Sequence, residues 1–167
     1  IRREELTETV CFGNQTVLAV PYDMPVIGYG GKTINTLRLW QAEPLRKFNF
    51  EAFNAQDYSR AFEERNKAEE ITAVLYPNDN GYEGKKLRLR QQYFFASASM
   101  QSIIRSFVAK NGTDFRRFHE FFAVQLNDTH PVVAIPEFLR ILTAVYHIPV
   151  AEALDLTADI FAYTNHT

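Results

Sequence analysis

A single cysteine, Cys11, stands in 167 residues, so no disulfide can close within the chain and a reducing compartment is expected. Strong charge of either sign is also missing. Eighteen basic side chains meet twenty acidic ones for a formal net charge of −2, which offers no basic field to nucleic acid or an anionic membrane. Neither is expected as a partner. Apolar runs such as Tyr93-Phe94-Phe95-Ala96 fall far short of the roughly 20 residues a spanning helix needs. The four histidines, His119, His130, His147 and His166, lie eleven or more residues apart, so no metal site is expected. Gly28, Gly30 and Gly31 lie between strand-like runs and open no helix, which argues against a phosphate-binding loop. Ser97, Ser99, Ser102 and Ser106 have no nucleophile elbow around them. The chain starts Ile1-Arg2-Arg3-Glu4-Glu5, without an initiator methionine or an apolar segment. No targeting peptide can be recognised, both ends look cut, and a cytoplasmic location is expected.

What is present is a core-forming composition, 46% hydrophobic and 14% aromatic, in a length that suits one domain. No internal repeat or low-complexity segment is visible. The first 45 residues are strand-rich: Val17-Leu18-Ala19-Val20, a bend at Pro21-Tyr22-Asp23, Val26-Ile27, then Ile34 to Trp40. Pro44 closes this part. Asn54-Ala55-Gln56-Asp57 offers helix-start residues for a helix over Tyr58 to Ile71, whose apolar positions are only Tyr58, Ala61, Phe62, Ala68 and Ile71. So thin a stripe predicts a helix that projects from the body or meets a partner. From Glu83, apolar spacing predicts a helix to about Lys110, its later half buried, stopped by Asn111-Gly112. Phe121 to Leu126 reads as a buried strand, and further helices are expected at 131–147 and 150–162. The fold class is mixed α/β, with the early strands and Phe121 to Leu126 in one sheet covered by helices. Four N-x-Thr sequences, at Asn14, Asn111, Asn127 and Asn165, are read as turn or capping chemistry.

Two segments could bind a ligand. Asn127-Asp128-Thr129-His130-Pro131 places polar groups between a strand and a helix, where open α/β sheets bind ligands; an ordinary turn capped by Asp128 or Thr129 fits as well. Tyr76-Pro77-Asn78-Asp79-Asn80-Gly81-Tyr82 offers aromatic and amide groups suited to a sugar or similar polyol. A plain surface turn is the alternative.

The same segments carry a resemblance. Leu75 to Asn80, Glu83 to Phe94, Gln125 to Pro131 with Ala134-Ile135-Pro136-Glu137, and Ala162 to Thr167 resemble the α-glucan phosphorylases of glycogen, starch and maltodextrin. Pro21 to Val26 and Asn35 to Trp40 match too. The resemblance implies part of the N-terminal Rossmann-like half of a two-domain, GT-B type glycosyltransferase. Its implied reaction is phosphorolysis of an α-1,4-glucan by orthophosphate, releasing glucose 1-phosphate with the help of pyridoxal 5′-phosphate. The cofactor lysine is implied to lie outside this chain, so the isolated chain is expected to be inactive.

Residue by residue, Asn80 matches the asparagine at the tip of a gate loop over 76–82 that reaches the bound glucose, and Asp79 its acidic neighbour. His166 matches a histidine whose side chain meets the glucose 6-hydroxyl and whose carbonyl lies near the anomeric centre. Asp128 and His130 match residues lining the pocket beside it. The helix within 54–72 matches a dimer-contact helix, so a homodimer is implied. Animal phosphorylases set two adjacent arginines against an allosteric nucleotide, whereas this chain reads Arg105-Ser106, which weakens the case for control by AMP. A stand-alone carbohydrate-binding or regulatory module is the alternative reading.

Overall fold

The computed structural model describes residues 1–13 and 15–166. The turn assigned to Asn14, and the Thr167 that ends the last motif, lie outside them. The chain divides into two compact units, Ile1–Gln91 and Gln92–Thr167.

In the first unit, β1 (Glu8–Phe12), β2 (Gln15–Ile27) and β3 (Ile34–Pro44) form an antiparallel sheet in that order. The bend expected at Pro21-Tyr22-Asp23 is absent, and β2 runs straight through both Pro21 and Pro25. Backbone polar groups of alternate residues point to opposite edges of a strand. The Pro21 carbonyl accepts from Arg3 N–H, and Asp23 N–H donates to the Ile1 carbonyl. Residues of this parity therefore face the N-terminal segment, and the missing proline donors leave the β3 ladder intact. Val10, Val17, Ala19, Trp40 and Ala42 form the buried face.

The helix expected over Tyr58 to Ile71 is not continuous. After α1 (Phe50–Asn54), two helices appear in its place: α2 (Tyr58–Ala61) and α3 (Glu63–Ala73). Asp57 does cap, accepting from Arg60 N–H at 3.0 Å. The chain turns at Phe62, whose ring packs against Phe48 and Phe53 with centroids 6.2 and 6.1 Å away. The apolar stripe of α3, Ala68 and Ile71, is fully buried in the unit that holds β3, and Thr72 Oγ1 accepts from Ala42 N–H. The stripe is thus covered within its own unit.

The helix α4 (Tyr82–Asn111) follows the predicted bounds within one residue. Gly112, at φ 72°, ends it by donating to the Val108 carbonyl. In the second unit the later half of α4 supplies Met100, Ile104 and Phe107 to an aromatic core with Phe115, Phe118, Leu126, Phe138 and Leu142. Phe121 and Phe122 are not strand. A 3-10 turn at Phe115–Glu120 precedes β4 (Val124–Asn127), because residues three apart superpose in such a turn and bring Phe115 and Phe118 onto Phe107 together. The stretch predicted as one helix over 131–147 is a 3-10 turn (His130–Val133), α5 (Ala134–Arg140) and a π-helical turn (Ile141–Val145). After α6 (Val150–Ile160) comes β5 (Phe161–Thr164), a strand the sequence reading placed partly in the helix and partly in a tail. It pairs in parallel with β4, Val124 with Phe161 through Asn127 with Thr164. The fold is mixed α/β, but the single sheet predicted is two separate ones.

Candidate functional site

Parallel pairing puts the carboxyl ends of β4 and β5 side by side, so Asp128, Thr129 and His130 leave the sheet where Asn165 and His166 do. The ladder continues one step further, since Asp128 N–H donates to the Thr164 carbonyl at 2.8 Å. There the chain reverses: Asp128 adopts φ 70°, a left-handed conformation that Asp tolerates better than most residues. Its Oδ1 accepts from Thr129 N–H at 2.7 Å, closing the turn locally. The capping expected of Thr129 or Asp128 does not occur, as the turn at His130–Val133 has no side-chain cap. Asp128 and His130 are half-buried and His166 is exposed. One carboxylate and two imidazoles at a strand end can hydrogen-bond the hydroxyls of a polyol.

The first unit holds the other segment. Tyr76 sits at φ 54°, and the 77–81 turn then lies over the start of α4. Asn80 N–H donates to Asn78 Oδ1 at 3.0 Å, leaving the Asn80 side chain exposed. Asp79 is held by Arg88, whose Nη1 donates to Oδ2 at 2.7 Å, and the guanidinium lies 6.0 Å from the Tyr76 ring centroid. A Cβ built on Gly84 would stand 1.9 Å from the Asn78 carbonyl oxygen. The other side of the loop is open: Pro77 and Asn78 line a groove of about 1190 Å³ with Arg60 and Lys67.

Behind His130, α5 is fixed by a buried carboxylate. Glu137 is 2% exposed, and it accepts from Ser97 Oγ (2.6 Å), Tyr93 Oη (3.1 Å), Arg140 Nε (2.7 Å) and Arg140 Nη2 (2.9 Å). Burial opposes its charge, but the donors from Arg140 and Ser97 outweigh burial and hold the carboxyl below its ordinary value. Burial, and then the charge of Glu137, push the Tyr93 phenol up.

Comparison with known proteins decides the family. The family described as carbohydrate phosphorylase matches residues 2–167. The chain belongs to that family. It is 50% identical over 168 residues to the liver form of glycogen phosphorylase from Homo sapiens, covering 96% of this chain and 20% of that protein. It is 51% identical to glycogen phosphorylase 2 of Dictyostelium discoideum (92% of this chain, 15% of that protein). It is 47% identical to glycogen phosphorylase of Saccharomyces cerevisiae (97% and 18%). The chain spans no more than about a fifth of the length of these curated relatives.

Within this phosphorylase-family chain, the structure brings Asp128, His130 and His166 to one sheet end and Asp79 and Asn80 to one loop. Sequence reasoning passed over three residues that hold these groups: Gly84, Arg88 and Glu137. Only Glu137 left a signal, an acidic residue among the apolar positions Ala134, Phe138, Ile141 and Leu142. Among the described residues, no helix is long and apolar enough to cross a membrane, and no group of three or more His, Cys, Asp or Glu could hold a metal ion.

Proposed function

We propose that this chain is the glucose-side part of the N-terminal half of an α-glucan phosphorylase. The whole enzyme uses orthophosphate to release glucose 1-phosphate from terminal α-1,4-linked glucosyl units. The observation that carries the proposal is the shared carboxyl end of β4 and β5, where the segments bearing Asp128, His130 and His166 leave the sheet. In open α/β sheets that is where ligands bind.

On the family resemblance, His166 and Asn80 are the proposed catalytic contacts, and Asp79 in the first unit and Asp128 and His130 in the second are proposed as further sugar contacts. Each offers a directed donor or acceptor to a glucose hydroxyl. The His166 carbonyl, at the anomeric centre, would place a negative dipole against the oxocarbenium charge that develops as the glycosidic bond breaks. Pyridoxal 5′-phosphate supplies an acid–base phosphate when bound. This chain does not fit its anchoring: all six lysines are exposed, with Lys67 paired to Glu63, so none is placed in an enclosed site. The cofactor and the orthophosphate site are assigned to the remainder of the enzyme.

The Rossmann-like, GT-B architecture, the gate-loop role of 76–82, a homodimer through 58–71 and a cytoplasmic location belong to the same reading. The crossover from β4 through α5 and α6 to the parallel β5 supports the first. The mixed exposed charges of α2 and α3, including Arg60, Glu64 and Lys67, support self-complementary contact across a two-fold axis. At the position read against nucleotide control, Ser106 Oγ donates to the Ser102 carbonyl at 2.8 Å and supplies no positive charge.

The test is kinetic. In the full-length enzyme, Asn80→Ala and His166→Ala should each lower kcat/KM for phosphorolysis by about 10²-fold while the cofactor stays bound. Wild-type constants in both variants would refute the assignment.

A further inference from the structure

We infer that Gly84 and Arg88 are the positioning residues of the 76–81 loop: Gly84 decides where the loop lies, and Arg88 how firmly it stays there. The inference rests on the reading of Asn80 as a sugar contact and adds two residues that touch no sugar.

Gly84 stands in the first turn of α4, in an ordinary helical conformation that any residue adopts. Glycine is a poor choice there on propensity, so space is the reason for it. A Cβ would meet the Asn78 oxygen at 1.9 Å, the Asn78 carbonyl carbon at 2.9 Å and the Asp79 Cα at 3.0 Å. All three are backbone atoms, which have no rotamer to give. Gly81, three residues earlier, has nothing within 4 Å of its built Cβ. Two glycines of one segment thus differ completely in what an added methyl group would meet.

Arg88 lies one turn beyond Gly84, on the same face of α4. It bonds Asp79 near the tip of the loop and lies by the ring of Tyr76 at its base, so one side chain tethers both. Tyr76 at φ 54° is uncommon for an aromatic residue and needs such support. The tether is soft, because the Arg88 and Asp79 side chains are 39% and 41% exposed and an exposed pair is weak and screened by salt. On its far side the loop faces the open groove. A hard stop and a soft tether leave Asn80 presented yet able to move.

Hydrogen exchange of the Asn80 amide and steady-state kinetics on the full-length phosphorylase test this together. Gly84→Ala should expose the Asn80 amide and lower kcat/KM to the level of Asn80→Ala, with no further loss in the double variant. Gly81→Ala should match wild type in exchange. Arg88→Ala should speed Asn80 exchange by roughly two- to fivefold and abolish its salt dependence, raising KM for glucan more than it lowers kcat. Exchanging the charges, with Asp79→Arg and Arg88→Asp together, should restore the salt dependence. Exchange in Gly84→Ala equal to that of Gly81→Ala, or unchanged salt dependence in Arg88→Ala, would overturn the inference. Exchange that changes as expected while Asn80→Ala leaves kinetics untouched would uphold the positioning and reject the sugar contact.

Discussion

The two units each rest on arginine–carboxylate pairs, set at different depths. In the second unit the Glu137 side chain is 1% exposed where it meets Arg140. In the first unit Asp23 is 11% exposed against Arg38, and Asp79 is 41% exposed against Arg88. Depth and bond number together separate a fixed anchor from a tether, since Glu137 accepts four hydrogen bonds and Asp79 one from Arg88. The buried carboxylate fixes α5 directly after the turn that carries His130. The exposed one holds only a loop. Within its own unit the Glu137 pair makes a rigid support behind the 127–131 corner, whereas the Asp79 pair leaves the 76–81 loop movable.

The largest effect is expected where burial is deepest. Glu137→Ala removes one partner of a buried pair together with the acceptor of the Ser97 and Tyr93 hydroxyls, and it should cost about 3 kcal/mol, near the lower end for such pairs because Arg140 keeps half its surface in water. Urea unfolding with exchange read in α5 would measure it, and a loss below about 1 kcal/mol would erase the distinction between the units. The same group sets a pH dependence. Its carboxyl titrates below its ordinary 4.5 in the folded chain, so its stabilisation is complete above that value and is lost as pH falls through the folded one. Glu137→Gln should flatten the decline of stability below about pH 4.5, and an acid profile identical to wild type would break the assignment.

Asp23 comes next. The pair with Arg38 is bidentate, at 2.7 and 2.8 Å, and the two residues face each other across β2 and β3. The bonds from Arg38, against the opposing effect of burial, hold the Asp23 carboxyl below its ordinary range. Asp23→Asn should cost about 1.5–3 kcal/mol, the range for a hydrogen bond to a charged group. The smallest effect belongs to the loop: Asp79→Ala should change global stability by no more than about 1 kcal/mol. A loss as large as that for Glu137→Ala would mean that the loop is a structural anchor.

How much of this was legible in the sequence followed how local its cause was. The helix over 82–111 could be read because its apolar spacing and its Gly112 stop lie within the segment itself. The strand β5 could not, since Phe161 to Thr164 becomes a strand only by pairing with β4, more than thirty residues away. The break at Phe62 was hidden because a ring cluster with Phe48 and Phe53 overrides a helical pattern. At the candidate site, turn residues marked the 76–82 loop and the 127–131 corner. Gly84 and Arg88 gave no such mark, because a forbidden Cβ and a tether spanning nine positions are facts of three-dimensional approach.

The two prolines of β2 carry a last consequence, for misfolding. A slip of one residue would turn every β2 side chain to the opposite face of the sheet. It would also swing Pro21 and Pro25 toward β3, leaving two carbonyls of that strand without donors. Where they now lie, Pro21 faces the chain's own N-terminal segment, and Pro25 denies a donor to any foreign strand approaching the β2 edge beyond it. Two missing hydrogens therefore guard against a wrong register within the chain, and the one at Pro25 also guards against edge-to-edge aggregation between chains.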